Sequence, residues 1–394
     1  MKPMARRIPF RASLLVLGLP LVCPAAETGR PAVLWDRPLE GDVYGSALAG
    51  DTVVLLTLKP GANEWTIEGR RADSGERAWQ GVAPGTSLGP EVKGAIIVSG
   101  RDGIRALDAA TGKERWLFTR PTAETNKNDK ALGGFSSPAL LDGECLYAAD
   151  YVPHPEKKDA VGASTFYCLG PEDGKPRWST TIPTGTIGPS LASNRDSVIV
   201  VREYGASAVD KATRQVRWSI DFNSTRAPAA LSADAAYLPG HGLRAVSLKD
   251  GRTIWERHGA PAAFGPTLKD GVLYAPLAQP VEEVAIGPGE ALGHLRHLPQ
   301  YAPTYVALDP ASGRELWERV FPNEVRAGAH VGDSIHLVCW DGHLYSLDRR
   351  DGKTRSKLPL DFDDWAPTPL AWKGRLILAL KRRLVAVGEA AVAR

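Results

Sequence analysis

Tryptophan returns along this chain about every 40 residues, and each time it closes the same short phrase. The phrase is clearest over Ala106-Leu107-Asp108-Ala109-Ala110-Thr111-Gly112-Lys113-Glu114-Arg115-Trp116. It reads as the end of one strand, a tight turn, and a second strand carrying an indole. Asp108 and Thr111 can bond nearby backbone N–H groups, and Gly112 supplies the positive φ that such a turn needs. The step from glycine to tryptophan recurs at Gly75 and Trp79, Gly174 and Trp178, Gly251 and Trp255, and Gly313 and Trp317. Trp35 stands alone upstream, Trp218 follows Arg214 instead of glycine, and Gly352 is followed by Ser356 where the tryptophan is due. Self-similarity at this period marks a propeller or a solenoid.

Each repeat holds four strand signals in a meander. A proline-led strand comes first, opened by Pro90, Pro138, Pro189, Pro228, Pro266 or Pro369. Proline cannot donate to a ladder and belongs at a strand start or edge, as on the innermost strand of a blade. An apolar strand, a hairpin and the strand ending in Ala-Leu-Asp or its variants follow. The tail from Pro369 to Val387 supplies three strands and stops; Ala32-Val33-Leu34-Trp35 is a fourth strand with no preceding three. Together they predict an all-β fold. It is an eight-bladed β-propeller with four-stranded antiparallel blades, closed by the N-terminal strand pairing with the C-terminal blade.

Residues 1–26 read as a signal peptide: Arg6 and Arg7 precede the short apolar run Ala12 to Val22, and Pro24-Ala25-Ala26 offers small residues for cleavage. Residues 27–394 are then one propeller domain in an exported, periplasmic or secreted protein. No segment is long enough for a spanning helix. Cys23 raises lipid anchoring, although Pro20-Leu21-Val22 is a poor lead-in. A 43% hydrophobic fraction permits a large core, and a net charge of +3 without a basic block argues against a nucleic-acid partner. Cys145 and Cys168 belong on adjacent strands of one repeat, where an oxidising compartment would allow a disulfide. Aligning that repeat on its neighbour leaves them about one residue out of register, on opposite faces. Cys339 reads as a small strand residue.

Three long connections, Tyr151 to Thr165, Gln279 to Thr304 and Arg120 to Gly134, should emerge on one rim. They carry the candidate contacts His154, Glu156 and Lys157, then Glu290, His294 and His297. On a helix His294 and His297 could share a metal with Glu290, but glycine and proline bracket the segment and solvated side chains are the plainer reading. Asp361, Asp363 and Asp364 are too few oxygens for calcium. No nucleophile elbow, P-loop or H-E-x-x-H occurs, so no catalytic, cofactor-binding or metal residues are assigned.

The spacing of Ala106, Asp108, Gly112 and Trp116, matched by Ala307, Asp309, Gly313 and Trp317, resembles the repeat of the quinoprotein-type β-propellers. That resemblance implies that Trp35, Trp79, Trp116, Trp178, Trp218, Trp255 and Trp317 link adjacent blades, and that the seam after Ser356 is the weakest. It offers two branches. One holds dehydrogenases of alcohols or sugars that use pyrroloquinoline quinone (PQQ) with calcium. Many of them have two adjacent cysteines, and no two are adjacent here. The other is a non-catalytic, BamB-like branch without a cofactor, which implies a monomeric envelope scaffold meeting a protein partner. A small-ligand or glycan-binding propeller is the third reading.

Overall fold

The computed structural model describes residues 31–121, 134–150, 164–182, 188–260, 264–280, 301–362 and 368–389. They form eight four-stranded antiparallel sheets, with a two-stranded ribbon (Gln279–Pro280 with Tyr301–Ala302) at the base of one long connection. In chain order, blade one spans Asp42 to Val82, blade two Ser87 to Thr119, blade three Leu140 to Ile182 and blade four Ser190 to Ile220. Blade five spans Ala230 to His258, blade six Thr267 to Val320 and blade seven Val325 to Pro359. Blade eight joins Leu370–Trp372, Arg375–Leu380 and Arg383–Glu389 to the N-terminal strand Pro31–Pro38.

That last sheet closes the ring in the predicted manner. Pro31 faces Glu389, Val33 faces Val387 and Pro38 faces Arg383, with a bulge between Val33 and Trp35. Arg383 and Asp36 add an ion pair across the two chain ends.

The two middle strands of each blade are buried on both faces, as in Val53 to Leu56, Ile96 to Val98 and Val198 to Val201. Such strands read as unbroken runs of β-branched and apolar residues because neighbouring blades cover them on either side. The core is therefore a set of inter-blade layers; one joins Trp218 and Ile220 of blade four to Ala236, Leu238 and Val246 of blade five. Five of the six prolines immediately precede or lie two residues before their inner strand, as expected. Pro90 lies inside Ser87–Val92, at an irregularity between Leu88 and Glu91. A bulge is the other place where a missing N–H is tolerated.

The cysteines correct the expectation of opposite faces. Tyr147 faces Cys168 across the middle pair of blade three. Cys145, two residues earlier on its strand, shares that face and pairs diagonally, with Cα atoms 5.3 Å apart in a disulfide. An offset of two preserves the face where an offset of one would not. Cys339 is free and buried.

Candidate functional site

In a meander the connections from second to third strand and from fourth strand to the next blade emerge on one rim. One register position lies at the end of each second strand towards that rim: three residues beyond the second-strand partner of the tryptophan-facing residue. It is occupied in turn by Thr57, Gly100, Asp150, Arg202, Gly240, Leu277, Cys339 and Leu380, all buried.

Two of these are charges that burial makes costly unless paired. Asp150, 2% exposed, accepts from Arg120 at 2.8 Å. Arg202, 4% exposed, reaches Asp221 at 3.4 Å and also donates to Ser219 Oγ and the Ile220 carbonyl. Burial pulls the Arg202 guanidinium below its ordinary pKa, and Asp221 opposes that pull. In blade seven, burial pushes the Cys339 thiol up to about 12. Beside it Asp341 accepts from Tyr345 at 2.6 Å and pairs with Lys357 at 3.2 Å.

Between blades four and five the rim opens. A cavity of about 340 Å³ lies among Asp221, Phe222, Asn223, His241, Arg244, Glu256 and His258. Arg244 donates to Glu256 at 2.7 Å, and its guanidinium lies 5.2 Å from the Phe222 ring centroid.

Among the described residues the inner strands carry five charged side chains, Asp42, Glu91, Asp142, Lys269 and Arg326. Those present are already committed in four of five cases. Asp42 pairs with Arg382, Asp142 with Lys211 and Arg326 with Glu324, while the Glu91 carboxylate accepts from the Gly50 and Gly94 N–H groups. Among the described charged residues of these strands Lys269 alone makes no such tie, and an ammonium is not a calcium ligand. Among the described residues no group of three or more His, Cys, Asp or Glu is placed to hold a metal ion.

His154, Glu156, Lys157, Glu290, His294 and His297 lie outside the described residues, as do Asp363, Asp364, Cys23 and the signal segment. Asp361 is in place with φ +47°. The tryptophans sit on outer strands and reach the next blade. Trp79 donates to the Ala109 carbonyl at 2.7 Å, Trp218 to Leu248 at 3.0 Å, Trp255 to Pro310 at 2.9 Å and Trp317 to Arg349 at 3.1 Å. Sequence reasoning passed over Asp150, Arg202 and the blade-five opening. The only signal for them was the residue found at one register position.

The chain matches the profile of a family described as outer membrane protein assembly factor BamB over residues 14–153, 100–267 and 283–388, and belongs to that family. BamB from Moraxella catarrhalis is 16% identical, with a TM-score of 0.59; the match covers 92% of this chain and 99% of that one. Quinohemoprotein alcohol dehydrogenase from Comamonas testosteroni is 13% identical, with a TM-score of 0.65, covering 94% of this chain and 78% of its own. A computationally designed protein, Ika8, is 11% identical with a TM-score of 0.64. At these identities the three share the fold. No curated protein sequence matches the chain. Among the described residues no helix is long and apolar enough to cross a membrane.

Proposed function

We propose that this protein is an exported, non-catalytic scaffold of the bacterial envelope, working in outer-membrane protein assembly by presenting its long-loop rim to a protein partner. One observation carries the reading. The chain matches the family described as outer membrane protein assembly factor BamB over residues 14–153, 100–267 and 283–388. The commitment of the inner-strand charges to structural partners supports it further. A ring of eight closed blades whose buried charges are paired is a fixed framework, which suits recognition of a second surface. Residues 1–26 would be removed on export.

Co-purification from detergent-solubilised envelope tests the reading, and recovery of outer-membrane assembly proteins is the expected result. Dye reduction by the purified protein with alcohols or sugars, after addition of quinone and calcium, would overturn it in favour of an oxidoreductase.

A further inference from the structure

We propose that the cavity between blades four and five is a binding site for one neutral sugar ring. The seams of this molecule supply their own comparison. At the register position described above, six blades carry a buried side chain, and blades two and five carry Gly100 and Gly240. Blade two fills the space differently. Asp102 in its hairpin holds Arg105 by two bonds of 3.0 and 2.7 Å, and Arg105 also donates to the Pro84 carbonyl.

The blade-five hairpin is one residue shorter, because Gly240 pairs directly with Gly242 and leaves only His241 at the tip. No counterpart of Asp102 remains, and the space stays open. Neither glycine can be replaced by a filling side chain. A Cβ on Gly240 would lie 2.5 Å from the Asn223 carbonyl oxygen, and one on Gly242 would lie 1.9 Å from that of Arg257.

The chemistry of the lining selects the ligand class. Asp221 is matched by Arg202, and Glu256 by Arg244, so the charges cancel pairwise and leave little field to hold an ion. What remains is a set of planar hydrogen-bonding groups: the Asn223 amide, the spare lone pairs of the two carboxylates, the other Arg244 N–H groups and two imidazoles. They surround apolar surface from Phe222 and Leu238. A neutral ring bearing hydroxyls, each both donor and acceptor, satisfies such a set while its C–H face meets the apolar floor. The volume is at the low end for small-molecule pockets, sized for a single ring. The inference stands independently of the scaffold reading.

The test is an NMR titration of the purified protein with glucose, galactose and N-acetylglucosamine, read on the imidazole C–H signals of His241 and His258; the chain has only eight histidines. Expected is a saturable shift of both signals by at least one sugar, with His330 unmoved. Asn223→Ala and Glu256→Ala should each weaken binding about tenfold, the loss of roughly one hydrogen bond to the ligand. Unchanged melting temperatures would show that the variants fold. The methyl glycoside of the sugar that binds distinguishes the sources: if it binds, the ligand is the end of a glycan chain; if it fails, the ligand is a free sugar. No shift with any of the three sugars, shifts with inorganic phosphate alone, or full affinity in both variants would overturn the proposal.

Discussion

The indole of Trp317 lies on Gly352 of the following blade, where a Cβ would come within 2.5 Å of its Cε3 atom. The same contact joins Trp35 to Gly75, Trp79 to Gly112, Trp116 to Gly174, Trp218 to Gly251 and Trp255 to Gly313. Each glycine sits in the turn between the third and fourth strands of its blade, at positive φ. It thus serves two needs: the backbone turns, and the ring of the preceding blade finds a flat seat.

Gly352→Val should therefore cost about 2–4 kcal/mol, combining left-handed strain with displacement of the ring. Blade four has Arg214 at this position, with φ +64°. Arg214→Gly relieves a conformation that L-residues resist and should stabilise by about 0.5–1 kcal/mol. Equilibrium unfolding in urea reads both, and a Gly352→Val variant as stable as the parent would contradict the seat.

Ser356 occupies the tryptophan position of blade seven, and its absent indole has a structural cause. The turn it would sit on, between the third and fourth strands of blade eight, does not exist as a turn: those strands come from opposite ends of the chain, meeting at Glu389 and Pro31. Ser356→Trp should accordingly bring no gain in stability. Deleting residues 31–38 removes a whole strand and the Trp35 contact, and should lower stability far more than loss of a frayed terminus. Paired melting curves check this; a stabilised Ser356→Trp would show that a seat is present after all.

The ring, its eight blades and its closure were legible because one large side chain recurs at a fixed step and the prolines mark strand starts. The partnership inside the motif was not. Gly112 and Trp116 are neighbours in sequence, yet Gly112 seats Trp79 and Trp116 sits on Gly174. The disulfide was misjudged because a long connection, not a hairpin, sets the register between its strands. The cavity was hidden for a similar reason. It depends on a hairpin one residue shorter than its counterpart, and on Asp221 meeting Arg202 from 19 residues away, with two strands between them.

The Cys145–Cys168 bridge closes a loop with a sequence separation of 23 residues. Chain entropy assigns such a link about 3 kcal/mol of stabilisation. Replacing both cysteines with serine should lower the denaturation midpoint in urea, as should reduction of the parent. The double variant should then be insensitive to reductant, and a midpoint that still responds would point to other chemistry.

Acid should loosen blade seven, where His330 faces blade six and His336, on the same strand face as Val338, is turned towards blade eight. His330 lies 3.1 Å from the Tyr305 hydroxyl, and its ring centroid is 4.8 Å from that of Tyr274. His336 shares a hydrogen bond of 2.9 Å with Ser346. Burial lowers both imidazoles from 6.5 to about 4, helped by Lys269, Arg349 and His336 around His330 and by Arg355 near His336. Between those values the unfolded chain binds more protons than the folded one, so stability falls as pH drops from about 6.5 towards 4. Each ring contributes a slope of up to about 1 kcal/mol per pH unit after allowance for partial solvation. Blades four and eight carry Ile199 and Ile377 where blade seven has His336, so the site accepts an apolar side chain. His336→Ile should fold normally and remove one ring's share of the acid slope in urea melts between pH 7 and pH 4. A slope unchanged in that variant would place the acid sensitivity elsewhere in the ring.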